Sequence, residues 1–199
     1  MSALIRVATT NDAPAIAEIY APIVRDTFVS FETEAPSVEE IQARIADITT
    51  RYPWLVCEID GSVVGYAYGS SLRERLAYRW SVEMAVYIAD GYRGRGIGRA
   101  LSVSLMECLR LLGFRQAFGR VALPNPASVG LIESLGGRAA GVERSVGFKS
   151  GKWVDVGEWQ MELSASGDAP AETASPAALY GTDEWESALG AGLAHVRGG

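Results

Sequence analysis

At 199 residues, with 48% hydrophobic and 21% charged side chains, the chain holds enough apolar material for one well-buried core and a tail. A formal net charge of -6 and a pI near 4.9 argue against a nucleic-acid groove or an anionic membrane surface. Cys57 and Cys108 are too few for a disulfide framework and each falls in an apolar periodic stretch. With neither a signal peptide nor a membrane-spanning run, a cytoplasmic protein with buried thiols is expected.

The first predicted strand covers Ala3 to Ala8. Thr9 to Asp12 offer N-caps for a helix whose inner face is Ile16, Ile19, Ile23 and Thr27. After a short link, Phe28 to Phe31, the capping box Ser37 with Glu40 opens a second helix carrying Ile41, Ile45 and Ile48, which ends before Pro53. A hairpin follows, Trp54 to Ile59 and Ser62 to Gly69 about the turn Asp60-Gly61. The loop Ser70 to Arg79 precedes a strand from Trp80 to Ile88.

That strand runs into the most informative stretch of the chain. It breaks at Ala89, Asp90 and Gly91 and passes through a glycine-rich turn into a helix with Ile97, Leu101, Leu105, Leu109 and Leu112 on its apolar face. A strand, glycine turn and helix in this order aim the unpaired amides of the first helical turn, and the positive end of the dipole, at whatever lies in front. Gly94, Gly96 and Gly98 have no β-carbon to hold a bulky anion off the backbone, so phosphate is the expected guest. A Walker loop is excluded because Arg99 and Ala100 stand where its lysine and hydroxyl belong. The dinucleotide fingerprint begun at Gly94 fails at Arg99.

Gly113 closes the helix, Arg115 to Ala122 is the next strand, and a helix from Ala127 to Leu135 stops at Gly136 and Gly137. Two strands, Ala139 to Val146 and Trp153 to Leu163, end a domain of residues 1–163. The expected fold class is α/β (α+β): one mixed, mostly antiparallel sheet flanked by helices. Residues 164–199 turn to alanine, glycine, serine and proline with scattered acids. A short helix near 183–196 would carry Trp185, Leu189, Leu193 and Val196 on one stripe. A mostly mobile tail is nonetheless the preferred expectation.

What fits the glycine turn is Arg93, two residues, Gly96, one residue, Gly98, which resembles the Q/R-x-x-G-x-G/A signature of the GNAT superfamily of acyl-CoA-dependent N-acetyltransferases. Three more stretches sharpen the likeness: RYPWLVCEIDGSVVGYAYGS (Arg51 to Ser70), AYRWSVEMAVYI (Ala77 to Ile88) and GFKSGKWVDVGEWQMEL (Gly147 to Leu163). Together they resemble the phosphinothricin and methionine sulfoximine/sulfone N-acetyltransferase branch, from about Ile5 to Leu163.

The resemblance implies a GNAT fold, acetyl-CoA as co-substrate, no metal, a small-molecule amine as acceptor and a homodimer. It makes Glu83 the base that strips the amine, and a carboxylate among apolar neighbours should have a raised pKa that suits the task. It assigns the pantetheine arm to backbone around Tyr87 and Ile88, and the pyrophosphate to Arg93, Gly94, Arg95, Gly96, Ile97, Gly98 and Arg99. Asn125 matches an asparagine that touches the coenzyme, with a plain turn or cap residue as the equal alternative; where the family's acid is missing, the thiolate leaves with solvent help or a group such as Ser128 serves. Arg75 and Tyr78, with Arg73 and Arg79 as neighbours, match contacts to the acceptor's anionic end, and Phe31 matches an aromatic wall.

The chain departs from the branch at Ile132, where a histidine or tyrosine acid is usual, and at Ser150 and Val154, which replace histidines. Its single histidine, His195, falls in the tail and is expected to be solvated. The leading expectation is transfer of acetyl to the α-amine of a small amino acid or analogue by direct attack in a ternary complex. The alternatives are an acetyltransferase of another amine, such as a polyamine or protein N-terminus, and a non-catalytic acyl-CoA-binding module.

Overall fold

The computed structural model describes residues 2–165, 167 and 169–198. Seven strands form one sheet: β1 (Ala3–Val7), β2 (Trp54–Ile59), β3 (Ser62–Ser71), β4 (Ser81–Ile88), β5 (Gln116–Leu123), β6 (Arg138–Lys149) and β7 (Lys152–Glu162), in the spatial order β1-β2-β3-β4-β5-β7-β6. The helices are α1 (Ala13–Asp26), α2 (Val38–Ile48), α3 (Ile97–Leu111), α4 (Pro126–Ser134) and α5 (Asp183–Gly190). Through Glu162 the order of strands and helices follows the periodicities of the sequence, and every neighbouring pair of strands but one is antiparallel.

The exception organises the molecule. β4 and β5 run parallel, as strands joined through a crossover helix must, and pair at Ser81–Gln116, Val82–Ala117 and Glu83–Phe118. Among the described residues the pairing goes no further. The rest of β4 is bonded on its β3 side, the rest of β5 on its β7 side, and the sheet opens into a cleft between them.

Two apolar layers sandwich the sheet. On one face α1 and α2 lay Ile16, Ile19, Ile23, Ile41 and Ile45 over Trp54, Val56 and Tyr66. The Ser37 and Glu40 capping box is present at the start of α2. On the other face α3 and its C-cap Leu112 bury Ile97, Leu101, Leu105, Leu109 and Leu112 against Leu55, Cys57, Ala67 and Val82. Both cysteines are free and buried, and burial pushes the thiols up to about 11 for Cys57 and about 12 for Cys108.

The C-terminal segment corrects an expectation. The mostly mobile tail is instead a packed element: α5 inserts Trp185, Ala188 and Leu189 into the α3 layer, with Trp185 only 1% exposed and the Tyr180 ring tilted against it at 5.3 Å. The reason lies in α3, whose Ala100, Ser104 and Cys108 form a stripe of small side chains next to the leucines and let a second helix come close. His195, expected to be solvated, is half-buried in a short turn, Leu193–His195, that follows α5.

Candidate active site

The cleft between β4 and β5 ends at the glycine turn. Gly94 and Gly96 both take positive φ, 77° and 78°, where a side chain would be strained, and Gly96 is the residue from which α3 starts. The amides that follow are the unpaired donors of a helix start. Gly98 faces α4, with Leu131 Cδ2 at 3.3 Å from where a β-carbon would stand, and the Arg99 guanidinium donates to Ser134 Oγ at 2.9 Å. The arginines rim the turn: Arg93 pairs with Asp90 at 2.9 Å, and Arg95 lies over the Tyr92 ring at 4.9 Å. Beside it, Ile88, Ala89, Asp90 and Arg93 line a cavity of about 290 Å³ together with Ile19 and Ile23 of α1.

Past Glu83, the inner edge of β4 carries backbone groups with no strand to bond, up to Tyr87 and Ile88. Backbone donors and acceptors left open beside a cleft require a partner, and an amide-bearing chain is the chemical match. On the far lip, Asn125 is the N-cap of α4, where its Oδ1 accepts from the Ser128 amide at 3.1 Å. The cap is formed through Oδ1 alone, which leaves the Asn125 side-chain amide as a donor.

Glu83 stands at the last paired position before the strands part. It is half-buried, and burial lifts its carboxyl above the ordinary carboxylate range against the pull of Arg120 and Arg73, with Glu158 pushing the same way as burial. Alternation along β4 puts Glu83, Ala85 and Tyr87 on the face of α1 and α2, opposite Ser70, Tyr68 and Tyr66 of β3. An aromatic floor results: Tyr87 meets Tyr20 edge-on at 5.0 Å and Tyr66 at 5.3 Å, while Tyr68 stacks on Trp54 at 4.4 Å. Burial pushes the Tyr68 phenol up to about 12, so it stays neutral. The Tyr20 hydroxyl donates to Glu32 Oε1 at 2.9 Å, and Glu32 receives the Arg44 guanidinium at 2.8 and 3.0 Å.

Arg73, Arg75 and Tyr78 come together with Ser71 and Leu72 around an open cavity of about 560 Å³. Arg73 ties this cavity to the base, reaching Glu158 at 3.9 Å and acting on Glu83. Arg79 turns away instead, stacking on Trp80 at 4.0 Å and donating to Glu172 at 2.7 Å. Phe31 is not among the residues lining that cavity; its ring lies on Gly147 of β6, where a β-carbon would come within 2.2 Å of it. Ile132 is packed into the wall, its Cδ1 against Gly119 of β5, and Val154 is buried. Ser150 sits at a tight turn with φ of 52°.

Arg120, Glu158, Tyr20, Tyr68 and Glu32 escaped the sequence reading. Arg120 and Glu158 are register partners on β5 and β7, and strand alternation sets Arg120 on the face of Phe118, beside Glu83. The signal was there in the alternation of β5, once its pairing with β4 is known.

The sequence matches the family described as "Acetyltransferase (GNAT) domain" over residues 5–157. The chain belongs to the GNAT acetyltransferase family. This GNAT acetyltransferase is 42% identical over 163 residues to the phosphinothricin N-acetyltransferase of Alcaligenes faecalis, covering 81% of this chain and 83% of that one. It is 35% identical over 175 residues to the L-methionine sulfoximine/L-methionine sulfone acetyltransferase of Pseudomonas aeruginosa, covering 85% and 100%. Among solved structures, the phosphinothricin acetyltransferase of Sinorhizobium meliloti in complex with AcCoA superposes with a TM-score of 0.83 at 36% identity, covering 86% of this chain and 95% of that one. The fold class and the enzymatic class expected from the sequence both hold.

Proposed function

We propose that this GNAT enzyme transfers the acetyl group of acetyl-CoA to the α-amine of a small zwitterionic amino acid or analogue, of the phosphinothricin or methionine sulfone/sulfoximine type. The observation that carries the reading is a half-buried carboxylate at the apex of a backbone-lined cleft, with an arginine-rimmed cavity on one side and a helix N-terminus on the other.

Acetyl-CoA supplies the activated acetyl thioester. Gly94 has open space on its β-carbon side, where the pyrophosphate can approach, the amides from Arg93 to Arg99 carry the right partial charge, and the open edge of β4 at Tyr87 and Ile88 suits the pantetheine amides. Glu83 takes the proton from the acceptor's ammonium group, directly or through water, because a protonated amine has no lone pair to attack with. A backbone N–H near Tyr87 polarises the carbonyl under attack. Arg75 and Arg73 hold the acceptor's carboxylate by paired N–H bonds, and Tyr78 closes that side. Attack is direct, since both thiols are held protonated by burial and serve poorly as nucleophiles. With Ile132 unable to donate a proton, the leaving thiolate is quenched by water or by Ser128.

The assembly we infer is a homodimer. The β6–β7 hairpin forms one edge of the sheet and exposes Val142, Val146, Phe148 and Trp153, the last two by 60% and 64%. Two free thiols are in keeping with a cytoplasmic setting.

The test is thiol release from acetyl-CoA against methionine sulfone, methionine sulfoximine, phosphinothricin, the ordinary amino acids and polyamines. Saturable turnover of an amino-acid analogue is expected. Turnover of polyamines alone would overturn the acceptor assignment, and binding of acetyl-CoA without any turnover would favour a non-catalytic module.

A further inference from the structure

The C-terminal segment reaches the glycine turn itself. From α5 the chain runs back along α3 toward its N-terminus and touches it at three successive levels. At the first, Ser104, fully buried, donates to the Leu189 carbonyl at 2.8 Å and accepts from the Gly192 amide at 3.1 Å. At the second, Gly192 lies so close to Ala100 that a β-carbon on it would fall 1.9 Å from the Ala100 carbonyl oxygen. At the third, the His195 carbonyl oxygen occupies the space 1.9 Å from where a Gly96 β-carbon would be, and the Arg197 amide donates to the Arg95 carbonyl at 2.9 Å. Leu193 and Val196 anchor the strap on the α3 layer. The strap's own residues lie beyond residue 157, where the family match ends.

We propose that residues 192–197 are a built-in brace of the coenzyme site, fixing the Arg95–Gly96 peptide so that the amides following it are aimed before acetyl-CoA arrives. The proposal rests on the reading of Arg93 to Arg99 as the pyrophosphate cradle. Gly94 and Gly96 have the largest backbone freedom to lose on binding, and a strap that removes it in advance strengthens affinity without touching the ligand. The strap lies on the side of α3 away from the cleft. Gly98 and Arg99 face α4, and at about 100° per residue Gly98 points about 200° away from Ala100, which carries the strap. It therefore supports the cradle from behind and leaves the path between α3 and α4 open.

Arg197→Pro tests this cleanly. It removes one N–H, and Val196, with φ -71° and ψ 125°, already has the extended backbone that a following proline requires. Three readouts on the full chain are expected together. Calorimetric titration with acetyl-CoA should give a Kd raised about five- to tenfold. Amide hydrogen exchange in the free protein should speed up at Ala100, whose amide is bonded to the Gly96 carbonyl at 2.9 Å, and Tm should stay within about 2 °C. Arg197→Ala keeps the N–H and should bind as the parent does. Gly192→Ala, which forces the strap off the Ala100 carbonyl, should weaken binding in the same direction as Arg197→Pro.

Unchanged affinity and exchange in Arg197→Pro would overturn the brace, tighter binding would make the strap an obstruction instead, and equal weakening in Arg197→Ala would transfer the effect to the guanidinium. Gly98→Asp separates the two levels, because a carboxylate among the amides should repel the pyrophosphate whatever the strap does. If Gly98→Asp weakens acetyl-CoA and Arg197→Pro does not, only the brace fails. If neither does, the cradle assignment fails and the brace falls with it.

Discussion

Glu83 carries the heaviest demand placed on a single residue. Glu83→Gln should lower kcat by about 100-fold or more while leaving the acetyl-CoA Kd within about twofold, as removal of a general base does. In the parent enzyme the acid limb of kcat/KM should fall above the ordinary carboxylate range, because burial lifts this group, and the variant's residual rate should lack that limb. The same shift has a consequence for stability. The folded chain holds the Glu83 proton more tightly than the unfolded chain does, so between the two values the folded state binds more protons and rising pH costs stability. Glu83→Gln should therefore melt higher than the parent around pH 7 to 8, and the difference should vanish below about pH 4. A variant that melts lower at neutral pH would mean that the pull of Arg120 and Arg73 outweighs burial at this position.

At the scale of elements, α3 joins the two halves of the problem. Its leucine stripe was legible because one face of a helix repeats every three or four residues, and the glycine turn was legible because its residues are contiguous. Ala100 and Ser104 gave no comparable signal, since such small side chains have no strong preference for core or surface, and the expected burial of Cys108 did not say against what. Their meaning depends on α5, more than seventy residues away in a stretch whose composition reads as a linker. Trp185 was the one clue there, a large aromatic amid alanine and glycine. Trp185→Ala should cost about 3 to 5 kcal/mol and lower Tm on the order of 10 °C, measurable by calorimetry. A shift under about 2 °C would mean that α5 adds little to the fold. The cluster around Glu83 was hidden for another reason: Arg120 and Glu158 reach it through strand register, which local pattern does not carry.

For the whole molecule, the open question is what covers the β6–β7 hairpin. Phe148 and Trp153 meet edge-on at 5.4 Å and, with Val142 and Val146, leave an apolar surface at a sheet edge that pairs with no further strand among the described residues. Light scattering at micromolar concentration should return twice the chain mass of 21.3 kDa. Phe148→Asp with Trp153→Asp should return the single mass without a large loss of Tm. A monomeric parent would remove the dimer.

The way α5 completes the core also bears on how the protein is made. Trp185, Ala188 and Leu189 fill the same apolar layer as Ile5 of β1, so residues from the two ends of the chain meet in one core. A nascent chain leaves the ribosome from its N-terminus, at roughly 5 to 20 residues per second. Throughout that time the first strand and α3 are without their last covering element, and apolar surface stays open to water or to chaperones. The chain must be made through α5 and the strap before this layer can close, and that closure seats the strap against the glycine turn.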